Sequence, residues 1–179
     1  MRRPRVPITI AAALALCLAG ADPGSAGPPK PPACEITGTG ANDIIDGTAE
    51  DDVICAKGGD DIVRGGGGND LIFGGAGKDT LEGGDGNDGV YGQAGDDALF
   101  GDAGNDLLSG DDGRDAIVGK GGTDKVLGGP DNDRCLVTKD SHGGDSINGG
   151  LGTDTYDKDA GDTATHVEKK AACVPPPEF

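Results

Sequence analysis

The feature that most constrains this chain is a period of nine residues. Residues 65–91 read GGGGNDLIF, GGAGKDTLE and GGDGNDGVY, so that glycine fills the first, second and fourth places, aspartate the sixth and an apolar residue the eighth. The same register covers residues 38–136 as eleven units without an insertion, and two further units begin at Asp140 and Gly149 after an interruption near 137–139. A period this short predicts stacked repeats instead of a conventional packed domain.

The sixth and eighth places keep their chemistry in all thirteen units. The sixth-place residues are Asp43, Asp52, Asp61, Asp70, Asp79, Asp88, Asp97, Asp106, Asp115, Asp124, Asp133, Asp145 and Asp154. The eighth-place residues are Ile45, Ile54, Val63, Ile72, Leu81, Val90, Leu99, Leu108, Ile117, Val126, Cys135, Ile147 and Tyr156. A random segment rich in glycine and aspartate would not keep this register.

Glycine and the strand period together predict the fold. Glycine reaches positive φ without steric cost, so six residues of each unit can turn the chain while three run straight. In a three-residue strand the middle side chain faces one way and its neighbours the other, so we expect the eighth place to face inward and the seventh and ninth outward. Two units then form one coil. The sequence therefore predicts an all-β chain, a parallel β-roll or β-solenoid with two short sheets back to back.

The charge of the chain indicates a cationic ligand. Thirty-two acidic against fifteen basic residues give a formal net charge of -17, which argues against nucleic acid because its phosphates need a basic surface. Aspartates of neighbouring coils would stack about 4.8 Å apart and repel by about 1 to 3.5 kcal/mol per pair. Calcium is bound by carboxylate and carbonyl oxygens, and glycine turns expose carbonyls. We therefore expect several Ca²⁺ ions between stacked turns.

The best-formed units carry a resemblance to a known repeat. Units 65–73, 74–82 and 83–91 closely match the consensus GGxGxDxUx, in which U is apolar, and units 92–100 and 101–109 nearly do so. On these motifs the chain resembles the RTX, or haemolysin-type, calcium-binding repeat family. The resemblance covers residues 38–157. It implies a parallel β-roll that folds on calcium, with ions held between successive turns.

The ligands follow from the same positions. The expected metal-binding carboxylates are Asp61, Asp70, Asp79, Asp88, Asp97, Asp106, Asp115, Asp124, Asp133, Asp145 and Asp154, with turn carbonyls near Gly65, Gly67, Gly74, Gly83, Gly92 and Gly101. Asp43 and Asp52 are set apart because Ala41 and Glu50 replace the fourth-place glycine in their units. Asp131 replaces it in the unit of Asp133.

The two ends of the chain differ from the repeats. Residues 1–21 read as a secretory signal, with three arginines, a short apolar stretch and a small-residue cleavage site after Ala21 or, alternatively, after Ala26. A linker rich in Pro and Gly is expected over 22–33, the calcium-binding roll with terminal caps over 34–173, and a disordered tail over 174–179. These features predict a secreted, extracellular protein without a membrane span.

Four cysteines remain once the signal is removed, and an even count in an exported chain suggests two disulfides. We favour Cys34–Cys55 and Cys135–Cys173, because each pair joins a residue outside the repeats to one inside them. Other connectivities and free or intermolecular thiols remain open.

Other functions find less support in the sequence. The aspartates could be turn formers only, but turn propensity would allow Asn or Ser at some of the thirteen sites. The chain lacks the flanking helical pattern and the correctly spaced glutamate that an EF-hand requires. The chain has only two histidines, His142 and His166, and it has neither HExxH nor GxSxG, so no enzymatic activity is expected.

The main alternative is an extracellular adhesion or interaction module in which calcium is only structural. Phe73 and Tyr91 occupy the ninth place of units two apart, as do Phe100, Val118 and Leu136, so each set is expected to stack as an outward stripe. An exposed apolar stripe can mark a partner site. The same stripe could instead cover its own sheet or pack under a terminal cap.

Overall fold

The fold is a stack of short parallel strands. The computed structural model describes residues 32–138, 144–158, 160–167 and 169–170. The described strands are β1 (Ile36–Thr37), β2 (Ile44–Asp46), β3 (Val53–Gly58), β4 (Ile62–Gly67), β5 (Leu71–Ala76), β6 (Thr80–Asp85), β7 (Gly89–Ala94), β8 (Ala98–Ala103), β9 (Leu107–Asp112), β10 (Ala116–Gly121), β11 (Lys125–Gly129), β12 (Arg134–Val137), β13 (Ser146–Gly150), β14 (Thr155–Asp157), β15 (Thr163–Thr165) and β16 (Lys169–Lys170).

The strands alternate between two sheets. The odd-numbered strands form one eight-stranded sheet and the even-numbered strands the other, each in the order of the sequence. We call these the odd sheet and the even sheet. All pairings are parallel, and in the middle of the stack each residue pairs with the one eighteen further on, as Ile72 does with Val90. The predicted parallel β-roll with two units per coil is confirmed.

The core lies between the two sheets and is built from the eighth place. These side chains are almost fully excluded from solvent: Ile45, Ile54, Val63, Ile72, Leu81, Val90, Leu99, Leu108, Ile117, Val126 and Ile147. Sharp turns at each edge connect the sheets, and the fourth-place glycines allow them. Gly77 and Gly95, for example, have φ of 138° and 144°, where residues with a Cβ are strained.

One strand departs from the predicted register. In β12 the pairing shifts, so that Ala116 faces Arg134 while Ile117 faces Leu136. Leu136 is fully buried in the core. The prediction that Cys135 takes the eighth-place position in the stack is therefore wrong. A bulge adds one residue to this strand, which brings the larger apolar side chain of Leu136 opposite Ile117.

The outward faces confirm the stacking but not all of the predicted exposure. Phe73 and Tyr91 pair in register with ring centroids 5.3 Å apart, and both are half-buried. Phe100 pairs with Val118, yet they are only 2% and 7% exposed. The predicted stacking of Phe100 on Val118 is therefore confirmed, and of the two alternatives for this stripe their burial fits the covered one. The placement of Leu136 in the stripe is wrong, since Leu136 pairs with Ile117 and belongs to the core.

The ends of the stack carry the remaining predicted features. A disulfide joins Cys34 to Cys55, with the Cα atoms 5.8 Å apart, as the first expected pairing requires. The proposed signal, most of the linker, Cys173, His142 and the tail lie outside the described residues. His166 is exposed, as expected. In the part of the chain that the structure describes, no helix is long and apolar enough to cross a membrane.

Candidate metal centre

The sixth-place aspartates lie on the turns that close each coil. Turns that lead from the even to the odd sheet form one edge, which we call the amide edge; the opposite turns form the charged edge. Both names refer to the fifth-place residues described below. From Asp52 to Asp154 every sixth-place aspartate is at most 4% exposed. The repeat thus buries a carboxylate in each turn, beside the apolar core.

One oxygen of each carboxylate joins neighbouring coils. The Oδ1 atom of Asp70 accepts the backbone N–H of Asp52 at 2.8 Å, and Oδ1 of Asp88 accepts that of Asp70 at the same distance. The ladder continues across the interruption, where Asp124 N–H donates to Asp145 Oδ1 at 2.7 Å. Each aspartate therefore fixes the register of the preceding coil, a role that Asn could also fill.

The second oxygen distinguishes these residues from simple turn formers. It is buried and accepts no hydrogen bond from the described residues in Asp61, Asp70, Asp79, Asp88, Asp97, Asp106, Asp115 and Asp133. A buried acceptor without a donor costs about 1–3 kcal/mol, and more for a charged group. Turn formation alone does not explain such a row of atoms.

The same oxygens face backbone carbonyls across the gap between coils. A Cβ added at Gly83 would lie 2.5 Å from Asp88 Oδ2 and 2.8 Å from the carbonyl oxygen of Gly101. The equivalent position at Gly74 lies 2.5 Å from Asp79 Oδ2 and 2.9 Å from the Gly92 oxygen. The first-place glycine thus leaves open a space bordered by two acceptors, which suits a cation or a hydrogen-bond donor.

Further carbonyl oxygens border the equivalent gap one coil earlier. A Cβ added at Gly84 would meet the carbonyl oxygen of Gly66, and one at Gly86 would meet that of Gly68. A Cβ added at Gly65 would meet Asp70 Oδ2 and the carbonyl oxygen of Gly83, so the gap between the turn at 65–70 and the turn at 83–88 is bordered by oxygens of both turns. A Cβ added at Gly67 has no carboxylate oxygen among its three nearest neighbours, the closest of which is Ala49 Cα at 3.7 Å.

Burial makes these carboxyls hold protons more strongly when no cation is bound. Desolvation raises the pKa of Asp70 to about 7, against the hydrogen bond from the Asp52 backbone, which lowers it. Desolvation likewise raises the pKa of Asp106 and of Asp115 to about 8, and neighbouring aspartates add to the shift. The ladder therefore favours whatever neutralises it, a proton or a metal ion.

The donor set fits calcium better than a transition metal. Within the described residues, no three His, Cys, Asp or Glu side chains are grouped to hold one metal ion. Each carboxylate would have to be supplemented by backbone carbonyls. Calcium, a hard cation, accepts such all-oxygen sites of mixed carboxylate and carbonyl ligands.

The structure separates the first two aspartates from the rest. The Oδ2 atoms of Asp43 and Asp52 each accept hydrogen bonds from a threonine, Thr39 and Thr48 respectively. The sequence separated these two aspartates from the others because their units lack the fourth-place glycine. In the structure the difference comes instead from the residue at the second place. Threonine stands there in both units, a signal that was present in the sequence.

Two more features were not found by sequence reasoning. Fifth-place residues form their own ladder: Asn105 N–H donates to Asn87 Oδ1 at 2.9 Å, and Asn87 N–H to Asn69 Oδ1 at 3.0 Å. Asp162, outside the thirteen units, extends the sixth-place ladder, since its Oδ1 accepts Asp145 N–H at 3.2 Å. The frequent Asn and Asp at the fifth place could have indicated the first ladder.

A parallel β-solenoid with a buried carboxylate in every turn defines a class of protein, the calcium-binding repeat proteins. The family model for the RTX calcium-binding nonapeptide repeat matches residues 37–72, 56–90, 73–108, 91–126 and 100–135. Together these matches cover more than half of the chain, and the protein belongs to this family. A comparison with curated proteins found no match.

Proposed function

We propose that this protein is a secreted calcium-binding protein whose repeats fold into the β-roll when several Ca²⁺ ions bind between successive turns, and that it has no catalytic activity. The observation that carries the proposal is the row of buried Oδ2 atoms that face carbonyl oxygens without a donor. The N-terminal signal expected from the sequence supports secretion.

Two kinds of oxygen ligand in this chain would bind the ions. Sixth-place carboxylates from Asp61 to Asp154 would supply the negative charge, and their Oδ1 atoms hold the turns in register. Turn carbonyls such as those of Gly92 and Gly101 would complete the oxygen set. Bound calcium neutralises the stacked carboxylates and so removes their mutual repulsion.

Calcium-driven folding has a direct test. Circular dichroism of the mature protein is expected to show a disordered chain in chelator and β-structure in millimolar calcium, because an ion that binds only the folded state stabilises it by mass action. Magnesium at the same concentration serves as the control, since its smaller octahedral site suits these turns less well. A folded spectrum that chelator leaves unchanged would contradict the proposal.

A second candidate is an extracellular interaction module in which calcium is structural. It is favoured by the stacked rings of Phe73 and Tyr91 on the odd sheet, next to a groove of about 270 Å³. The groove is lined by Pro32, Cys34, Cys55, Lys57, Phe73 and Gln93.

The two candidates can be separated with one double variant. Replacing Phe73 and Tyr91 with Ser is expected to abolish capture on cell surfaces or matrix if the module reading is correct, while calcium-dependent folding persists. Replacing the exposed Ile44 with Ser is the matched control. Equal capture of wild type and double variant would remove this candidate.

A further inference from the structure

The first coil (residues 38–55) satisfies its aspartates without a metal ion. Asp43 Oδ2 accepts the backbone N–H of Thr39 at 2.7 Å and its Oγ1 hydroxyl at 2.8 Å. Asp52 Oδ2 accepts the same two groups of Thr48 at the same distances. The oxygen that accepts no hydrogen bond from the described residues in Asp61 to Asp115 and in Asp133 thus has two donors here.

The second place of the repeat explains the difference. In later units this place has positive φ, as in Gly75 (φ 119°) and Gln93 (φ 78°). Thr39 and Thr48 are not among the residues with positive φ, a conformation that β-branched side chains rarely adopt. The changed backbone lets the N–H of each threonine donate to its own turn's carboxylate, and the hydroxyl adds a second bond.

Other contacts complete this end of the stack without calcium. Lys57 Nζ donates to the carbonyl oxygen of Gly38 at 2.8 Å, so an ammonium group reaches a first-place carbonyl of the first coil. The disulfide Cys34–Cys55 ties the preceding segment to the same coil. At the opposite end a threonine again faces the terminal aspartate, since Thr138 Oγ1 lies 3.4 Å from Asp162 Oδ2.

We propose that Thr39 and Thr48 exclude calcium from Asp43 and Asp52, so that the first coil is a calcium-independent cap and the metal sites lie in the coils that follow it. The inference rests on the proposed function, because it assigns which of the repeated turns take the ion. A calcium ion at Asp52 would have to displace two hydrogen bonds to the oxygen it needs, whereas at Asp70 it would displace none.

Counting ions in two matched variants tests the assignment. Asp52 and Asp70 lie one coil apart on the same edge, so native mass spectrometry of the calcium-loaded full chain can compare Asp52→Asn with Asp70→Asn. We expect Asp70→Asn to lose at least one ion relative to wild type and Asp52→Asn to lose none. Loss of an ion from both variants would overturn the inference but leave the proposed function standing. A wild type that binds no calcium would overturn both.

A variant designed to gain a calcium site tests the role of Thr48. The double change Thr48→Gly and Glu50→Gly turns residues 47–52 into GGAGDD, close to the GGAGKD of residues 74–79, and is expected to add one ion. Thr123→Gly is the control, because Thr123 occupies the fifth place on the same edge, where its N–H bonds Asn105. An unchanged count in the double variant, or an equal gain in the control, would overturn the role of Thr48.

Discussion

The chemistry of these turns depends on the absence of a side chain at the first-place glycine. Asp88 Oδ2 and the Gly101 carbonyl oxygen both border the position that a Cβ on Gly83 would occupy, and an ionised carboxylate and a carbonyl cannot donate hydrogen bonds to each other. The first-place glycine is needed because a Cβ would fill the space between them, and not because of its φ, which is not positive at Gly83. The selection for glycine at this place is therefore steric.

This argument predicts different outcomes for two glycine substitutions. Gly83→Ala should raise the calcium concentration at the folding midpoint by at least about tenfold, or ~1.4 kcal/mol, because the methyl group would lie 2.5 Å from Asp88 Oδ2. Gly67→Ala, with its nearest contact at 3.7 Å, is the control and should shift the midpoint little. Calcium titrations followed by circular dichroism measure both. Equal midpoints for the two variants would show that the space at Gly83 does not hold the ion.

At the scale of strands and turns, the two edges are stabilised differently. On the amide edge, Asn69, Asn87 and Asn105 bond one another through side-chain amides. On the charged edge, Asp96 Oδ2 lies 3.2 Å from Lys78 Nζ and 3.0 Å from Arg114 Nη2, and hydrogen bonds from Arg114 lower the pKa of Asp96 to about 2. The charged contacts are exposed and will be screened by salt, whereas the amide ladder will not.

The amide ladder should therefore contribute to stability once calcium is bound. Asn87→Ala removes the acceptor for the backbone and side-chain N–H groups of Asn105, and the donor to Asn69. We expect a loss of about 1–2 kcal/mol in the free energy of unfolding, measured by urea denaturation at saturating calcium. Asn87→Asp keeps the acceptor oxygen and should lose less. A change below about 0.3 kcal/mol for Asn87→Ala would mean that the ladder follows the fold without stabilising it.

For the whole molecule, the buried carboxyls couple folding to pH. In the ion-free fold the pKa of Asp70, Asp97 and Asp133 is raised to about 7, mainly by desolvation, from an ordinary value near 3.8. A raised pKa means that the folded state binds protons more tightly than the unfolded state. The contribution to stability is then complete below the ordinary value and is lost as pH rises through the raised values.

Acid should accordingly substitute in part for calcium. In chelator, lowering the pH from 8 to 5 is expected to increase the β-structure seen by circular dichroism, because protonation removes the buried charges. Light scattering should accompany the measurement, since the sequence pI is about 4.2 and association must be excluded. A disordered spectrum at every pH in chelator would contradict the expectation.

The sequence predicted the roll and its carboxylates because both depend on places that repeat in every unit. The eighth-place core and the sixth-place ladder need only the period, the alternation of strand side chains and the properties of glycine. What it did not predict depends on single residues. Phe100 is buried partly because Lys120 Nζ lies 5.3 Å above its ring and pairs with Asp102, which no repeat pattern contains.

The bulge and the threonine contacts were missed for a related reason. The shift in β12 places Leu136 opposite Ile117, a choice between adjacent residues that packing decides. Thr48 differs from the consensus by one substitution, and its effect on Asp52 follows from backbone conformation. Local departures from a repeat therefore carry the information that the period does not.

The register of the coils also limits how such an array can change in length. Deleting nine residues, such as 83–91, would keep an aspartate and an apolar residue in every stacked position, because both sheets share these places. It would nevertheless move every later unit to the opposite sheet, bring Phe100 next to Phe73 and separate Lys78 from Asp96. Deleting eighteen residues, such as 83–100, would preserve the faces. Repeat units in a chain of this kind should therefore be gained or lost as whole coils, because the contacts on the outer faces, and not the core, depend on which sheet a unit joins.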